Sequence, residues 1–255
     1  MFGISLYQQK HLELPMQGRK PFNPRSFFAT LFSSGRLDSK PTTPYLSQIP
    51  CSWGAVYFPE HWEEFHSFLA YRLAERPVIP ISTPIVPSVR SNLWLSSWKR
   101  FFIELVYLRG YVMLYPNFKG FISLSTNHLE PGAHVKPLPS FFNSTNFAYP
   151  NNLNATYDVD KEKERRDLFR LPLMQLPPYP GKAMIKETGL LQLPESRLPS
   201  LDNLPILNLT GCLTSQEALQ HQGGQRRREL FKCHGNFSAS RYSVLDLFCI
   251  ADTEQ

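Results

Sequence analysis

The sequence lacks most of the signatures that mark a familiar enzyme. G-x-G-x-x-G, G-x-S-x-G and the phosphate-loop pattern are all absent from the 255 residues, so no dinucleotide turn, serine-hydrolase elbow or nucleotide-triphosphate cradle can be placed. Cysteine is scarce. Cys51, Cys212, Cys233 and Cys249 include no C-x-x-C pair, which leaves a zinc module unsupported. The even count permits two disulfides, in any of three pairings. No apolar run approaches the ~20 residues of a membrane span. The opening MFGISLYQQK has neither the basic start nor the apolar stretch of a secretory signal peptide. A strong charge of one sign is also missing. The net charge of +6 and pI of about 9.1 are mildly basic, without the basic stripe of a nucleic-acid binder, and no nucleic-acid partner is expected. Arg226-Arg227-Arg228, the one dense basic run, reads as a solvated helix end.

What the chain does have is proline and aromatic residues. Its 23 prolines concentrate in residues 15–50, 77–87 and 131–205, where the fixed φ and missing donor favour extended or irregular backbone. With 42% hydrophobic and 19% charged residues, the composition is that of a soluble globular protein with one large domain or one and a half. Sequons at Asn143, Asn154, Asn208 and Asn236 exceed the about one or two expected by chance and point toward a secretory lumen. Two localisations follow: the cytoplasm, or the Golgi or endoplasmic reticulum lumen if a targeting segment lies upstream of Met1.

Read in order, residues 2–7 form a strand that begins at once, which suggests that Met1 is not a natural domain boundary. Residues 8–25 read as loop, 26–33 as a short helix capped by Ser26, and 35–50 as loop again. Residues 51–69 are the aromatic centre of the chain. Ser52–Phe58 suits a short buried strand, Pro59 starts a helix, and Trp62, Phe65, Phe68, Leu69 and Leu73 form its apolar face. Ser96 or Ser97 caps a second helix, WKRFFIELVYLR, ended by Gly110 and apolar enough to be buried between layers. The strands YVMLY and FISLS follow, which is α/β grammar. Residues 161–170 suit one solvated helix within a long irregular stretch. Residues 205–209 recover a strand signal. Thr214-Ser215-Gln216-Glu217 is a capping box for a short helix ending near Gly223-Gly224, and 243–250 is a final strand or helix.

Several clusters invite chemistry. His61 and His66 are five apart, which on a helix separates them by roughly 140°, so they do not form a zinc pair. His128, Glu130 and His134 follow the FISLS strand and can together hold a divalent cation or move a proton; a polar loop with hydrogen-bonded histidines is the plainer alternative. Asp158-Val159-Asp160 has no strand before it and reads as the acidic start of a helix. Arg90, Trp94, Trp98, Lys99 and Arg100 place cations beside indoles near a helix start, a set that suits a phosphate or a stacked sugar ring, or simply a cap with aromatic packing. Cys51 has no base near it in sequence and reads as structural or disulfide-bonded.

The segments FGISLYQQKHLEL, PYLSQIPCSWGAVYFPEHWEEFHSFL, SVRSNLWLSSWKRFFIELVYLRGYVMLYPNF and LSTNHLEPGAHV resemble the C-terminal half of family-2-like glycosyltransferases of the GT-A fold. The resemblance spans residues 2 to about 135 and continues more loosely to the end. It implies a partial GT-A-like mixed sheet over 1–135, an irregular wrapping segment over 136–204 and a small α/β extension over 205–255. It further implies a nucleotide sugar, an unknown acceptor and Mn²⁺ or Mg²⁺. Trp53 and Gly54 would line the sugar pocket and His128 would be a late metal or diphosphate contact; the residues themselves add Arg90, Trp94 and Lys99 as candidate substrate contacts and Glu130 and His134 as candidate metal ligands beside His128. The family's donor-binding half would precede Phe2 and its D-x-D motif has no counterpart in the right context. The resemblance therefore implies a truncated transferase, not competent alone. The competing expectation is a non-catalytic module that binds a partner through the aromatic 51–69 corner.

Overall fold

The computed structural model describes residues 1–37, 41–77, 79–118, 121, 125, 200–232 and 242–249. The chain divides into two compact units, Met1–Ser125 with Ala183–Gln255, and Thr126–Lys182; every described residue belongs to the first. That unit is mixed α/β. Its strands are β1 (Gly3–Ser5), β2 (His11–Leu12), β3 (Lys20–Pro21), β4 (Tyr45–Ser47), β5 (Ala55–Tyr57), β6 (Met113–Tyr115), β7 (Ile206–Leu207) and β8 (Leu213–Thr214). Its α-helices are α1 (Pro24–Ser33), α2 (Pro59–Leu73), α3 (Trp98–Arg109), α4 (Gln216–Phe231) and α5 (Val244–Phe248).

Six strands form one mixed sheet in the order β5-β1-β6-β4-β7-β8, and β2 and β3 form a separate hairpin. The pairs β1–β6 and β4–β7 are parallel, and the other pairs in the large sheet are antiparallel. Alternation along the strands divides the core. Tyr45, Met113, Tyr115 and Leu207 belong to the main cluster, with Phe65, Phe68 and most of α3. Leu46, Leu114, Ile4 and Ile206 point to a smaller cluster with Leu219 of α4.

As its wide apolar face predicts, α3 is buried, and ion pairs take Lys99, Arg100 and Glu104 inside with it, so burial runs from Lys99 to Leu108; Gly110 ends it with φ +66. Phe65 of α2 stacks on Phe102 with ring centroids 4.4 Å apart. On another side α4 comes so close that a Cβ added at Gly223 would lie 2.5 Å from the carbonyl oxygens of Tyr107 and Leu108. This approach explains why α4 runs through Gly223-Gly224 to Phe231 instead of ending there. The helix cost of glycine is offset by backbone contact that no side chain permits. Ser215 caps α4, accepting from Ala218 N, one residue after the Thr214 that the capping box predicts, because Thr214 is held in β8.

Other differences from the sequence reading have local causes. Residues 35–50 hold β4, an inner strand of the sheet, whose three buried residues sit between Pro44 and Pro50 and leave both prolines out of the ladder. α1 starts two residues earlier than expected, because Asn23 supplies the capping oxygen to Ser26 N and Pro24 suits the first turn. β5 is an edge strand, not a buried one, with Val56 50% exposed. The buried face of α2 is His61, Glu64, Phe65, Phe68 and Arg72, while Trp62 and Leu73 stay 42% and 53% exposed. Ion pairs reverse the expected burial: Glu64 meets Arg109 and Arg72 meets Glu104, so two charged residues go inside. The final strand-or-helix segment holds the helix α5, Val244–Phe248, capped by Ser243. Cys51 and Cys212 are free thiols and Cys249 is disulfide-bonded, which rules out two disulfides. The FISLS strand, apart from Phe121 and Ser125, and the 161–170 helix lie outside the described residues.

Buried charge also shapes the proline-rich loop. Glu104 of α3 accepts from Arg72 Nε at 2.9 Å and Nη2 at 3.4 Å, and from Arg100 Nε at 3.3 Å. The same guanidiniums donate onward to Ile79 O and Ile81 O at 2.6 and 2.7 Å. Arg226 of α4 donates to Pro84 O and Ile85 O, both at 2.8 Å, so the first residue of the basic run is docked on the loop instead of simply solvated.

Candidate functional site

The sequence-predicted residues that converge do so where the chain leaves the parallel pair β1 and β6. Beyond β1, Ser5 Oγ accepts from Tyr7 N and donates to Tyr7 O, turning the backbone. Gln8 then clasps the backbone of Phe118 beyond β6, donating to its carbonyl at 2.9 Å and accepting from its N–H at 2.5 Å. Tyr7, Gln9 and Glu13 are thereby set beside Tyr115, the last residue of β6. Ligands of open α/β sheets gather at the carboxyl ends of parallel strands, and this is such an end.

The opposite wall is the turn before β5. Cys51 Sγ accepts from Trp53 N at 3.5 Å, and Tyr57 donates its hydroxyl to Cys51 O. Gly54 adopts φ +119, a region that side chains disfavour, and a Cβ there would come 2.5 Å from the side chain of Ser125. Glycine is thus required for the turn that lays Trp53 edge-on against Tyr7, centroids 5.1 Å apart, with the indole 40% exposed. Lys99, in the first turn of α3, donates Nζ to Glu13 Oε2 at 2.6 Å, with both side chains largely buried.

The cleft so formed holds about 20 Å³, enough for one water-sized group, and the partly exposed Trp53 lines it. Burial pushes the phenols of Tyr7, Tyr45 and Tyr115 upward, and the neighbouring Cys51 adds to each shift. They are neutral near pH 7 and act as hydroxyl donors: Tyr115 donates to Ile49 O at 2.9 Å and Tyr45 to Gln9 Oε1 at 3.4 Å. Chemically the cleft offers an aromatic face beside a carboxylate–ammonium pair. Such a set can hold hydroxyl groups. Its one carboxylate, Glu13, is already ion-paired.

Of the residues expected at a site, the fold brings Trp53 and Lys99 into this cleft and gives Gly54 the part of shaping it. Arg90 and Trp94 do not line it. Arg90 begins a 3-10 turn, Arg90–Leu93, and its backbone N–H donates to Leu14 O, while Trp94 packs against the main core. His128, Glu130 and His134 lie outside the described residues, and among the described residues no group of three His, Cys, Asp or Glu is placed to hold a metal ion. Tyr7 and Glu13 were not foreseen. Both sit in a stretch that reads as strand end and loop, and Glu13 meets a partner 86 positions away, which no local pattern encodes.

No family model, no curated protein and no solved structure matches the chain. Among the described residues, no helix is long and apolar enough to cross a membrane.

Proposed function

We propose that this chain is a glycosyltransferase-like protein with a partial GT-A-like fold, and that the Trp53 cleft contacts a sugar. The reading rests on one observation: an exposed indole, set edge-on to Tyr7, stands beside the Glu13–Lys99 pair at the carboxyl ends of β1 and β6. A sugar presents C–H faces to aromatic rings and hydroxyls to charged hydrogen-bonding groups, and this cleft offers both. Its small volume admits one hydroxyl, so the ring would lie on the open face of Trp53. The donor is a nucleotide sugar and the acceptor is unknown. His128, Glu130 and His134 are the residues offered for Mn²⁺ or Mg²⁺; they lie outside the described residues, and no step is derived through the cation. No residue is assigned as catalytic base.

The test is thermal unfolding with uridine and guanosine diphosphate sugars, with and without Mn²⁺. Ligand at a hundred times its Kd stabilises by about 2.7 kcal/mol, a readable shift. Trp53→Ala is expected to abolish it. The absence of a shift with every nucleotide sugar sinks the reading.

A second reading has its own support. β5 is a sheet edge with Val56 exposed, and nearby Trp62 and Trp98 are both partly open, their rings 6.1 Å apart. Such an edge suits strand addition by a partner chain. Retained partner binding in a Trp53→Ala chain that binds no nucleotide sugar would favour it.

A further inference from the structure

Of the four sequons, that of Asn208 lies within the described residues, whereas Asn143, Asn154 and Asn236 do not. Asn208-Leu209-Thr210 belongs to the turn that joins β7 to β8. Two backbone bonds close the turn, from Asn208 N to Cys212 O at 2.9 Å and from Gly211 N to Asn208 O at 3.0 Å. Inside it the Asn208 carboxamide is used through its oxygen. Oδ1 accepts from Thr210 N at 3.0 Å, from Thr210 Oγ1 at 2.9 Å and from Cys212 N at 2.9 Å.

Three donors on one oxygen fix where the side chain points. Among the described residues no group accepts from Nδ2. Asn208 is only half-buried, and Nδ2 is not one of the enclosed unpaired atoms, so it meets solvent. N-linked glycans attach to this nitrogen in Asn-x-Ser/Thr segments. A glycan on Nδ2 leaves one N–H there and does not touch Oδ1. All three bonds that shape the turn therefore survive the modification.

The turn also has a closed side and an open one. Leu209 is 4% exposed and belongs to the main core, and a Cβ added at Gly211 would lie 2.5 Å from the side chain of Leu12. Thr210, Cys212 and Leu213 are exposed. Leu213 begins β8, the last strand in the order of the sheet. A bulky hydrophilic group on Asn208 would stand beside that edge and beside the exposed Cys212 thiol, screening both.

A second observation, independent of the turn, favours a compartment where this chemistry occurs. Cys249 is disulfide-bonded, and disulfides persist in oxidising environments such as the secretory lumen.

We infer that Asn208 is an N-glycosylation acceptor and that this chain passes through the secretory lumen. The co-reactant is an oligosaccharide linked to a polyprenyl diphosphate. Nδ2 attacks the anomeric carbon of its first sugar. A carbon–nitrogen bond forms and the bond from that carbon to the diphosphate oxygen breaks. The polyprenyl diphosphate leaves with the bonding pair, and the proton from Nδ2 passes to a base of the transferase. Added as the chain enters the lumen, the glycan ends on the solvent side of the folded turn. The modification is independent of the Trp53 cleft.

The test uses the full chain purified from the cells that make it. Tryptic peptides are treated with peptide-N-glycosidase in heavy-oxygen water, which converts a glycosylated asparagine to labelled aspartate. Mass spectrometry is expected to find the label at position 208, in the peptide spanning 198–226. Thr210→Ala is expected to abolish the label, and Thr210→Ser, which keeps both the sequon and the hydroxyl, to retain it. Both variants leave the Asn208 carboxamide in place, whereas Asn208→Gln would also displace the oxygen that three donors share. Unmodified Asn208 throughout overturns the proposal. Label that survives Thr210→Ala does so too, since it would mark simple deamidation. Label at Asn143, Asn154 or Asn236 with Asn208 bare overturns it as well, because the chain would then reach the lumen without this turn serving as acceptor.

Discussion

Replacing Glu104 by glutamine is the most informative single change to this fold. The carboxylate is 1% exposed and accepts from two guanidiniums, of Arg72 and Arg100, whose side chains are 1% and 2% exposed. Glutamine keeps the shape but removes the charge, and it offers an amide N–H₂ where an acceptor is needed. Two buried cations then share one neutral acceptor oxygen besides the carbonyls of Ile79 and Ile81, and Arg100 Nη1 already lacks a partner. Breaking a buried pair costs about 3–5 kcal/mol, because the surviving charge cannot regain its hydration. Against a total stability of about 5–15 kcal/mol this is a large fraction. With a urea m-value near 3 kcal/mol/M, suited to a chain of this size, the unfolding midpoint should fall by about 1–2 M. The loop at 79–86 should also become a site of early proteolytic cleavage, since its carbonyls are held by the same arginines. The triple change Arg72→Met, Glu104→Leu, Arg100→Met separates charge from packing and is expected to recover most of the loss. A Glu104→Gln midpoint within about 0.3 M of the parent would refute the account of the triad as a charge network.

Two further perturbations test the packing and the buried imidazole. Gly223→Ala drives a methyl into the carbonyls of Tyr107 and Leu108 and should destabilise by about 1–3 kcal/mol, whereas Gly224→Ala meets only the far ends of two arginines and should stabilise by up to about 1 kcal/mol; paired thermal melts check the opposite signs. Burial lowers the His61 pKa from the ordinary 6.5 to about 4 in the folded chain, so the unfolded chain takes up its proton first as pH falls. Stability from this group is therefore full above 6.5 and lost progressively down to about 4, and urea midpoints across that range should flatten in His61→Phe.

Much of the secondary structure was legible because its causes are local. Pro59 and the acidic first turn set the start of α2, Gly110 the end of α3, and the Thr214–Glu217 box the start of α4 to within one residue. β4 was not legible, since three residues between prolines are too few for a period to register, and only pairing with β6 and β7 makes them a strand. The face of α2 was misjudged because apolar spacing was weighed without the partners of Glu64 and Arg72, which lie on α3. At the candidate site, the aromatic turn at Trp53 and the cation at Lys99 stood out by composition. Glu13 did not, because its partner Lys99 lies 86 positions away.

The sequence by itself determined the start of α2, the end of α3, that α3 is buried, and that the chain mixes helices and strands, because caps, glycines and apolar periods act within a few residues. Tertiary structure alone decided the strand order, the free and bonded cysteines, the burial of six charged side chains (Glu64, Arg72, Lys99, Arg100, Glu104 and, nearly so, Arg109) and the Trp53 cleft. A buried charge is stable only beside its partner, and a cavity exists only where distant walls meet, so neither is written in any local stretch of the chain.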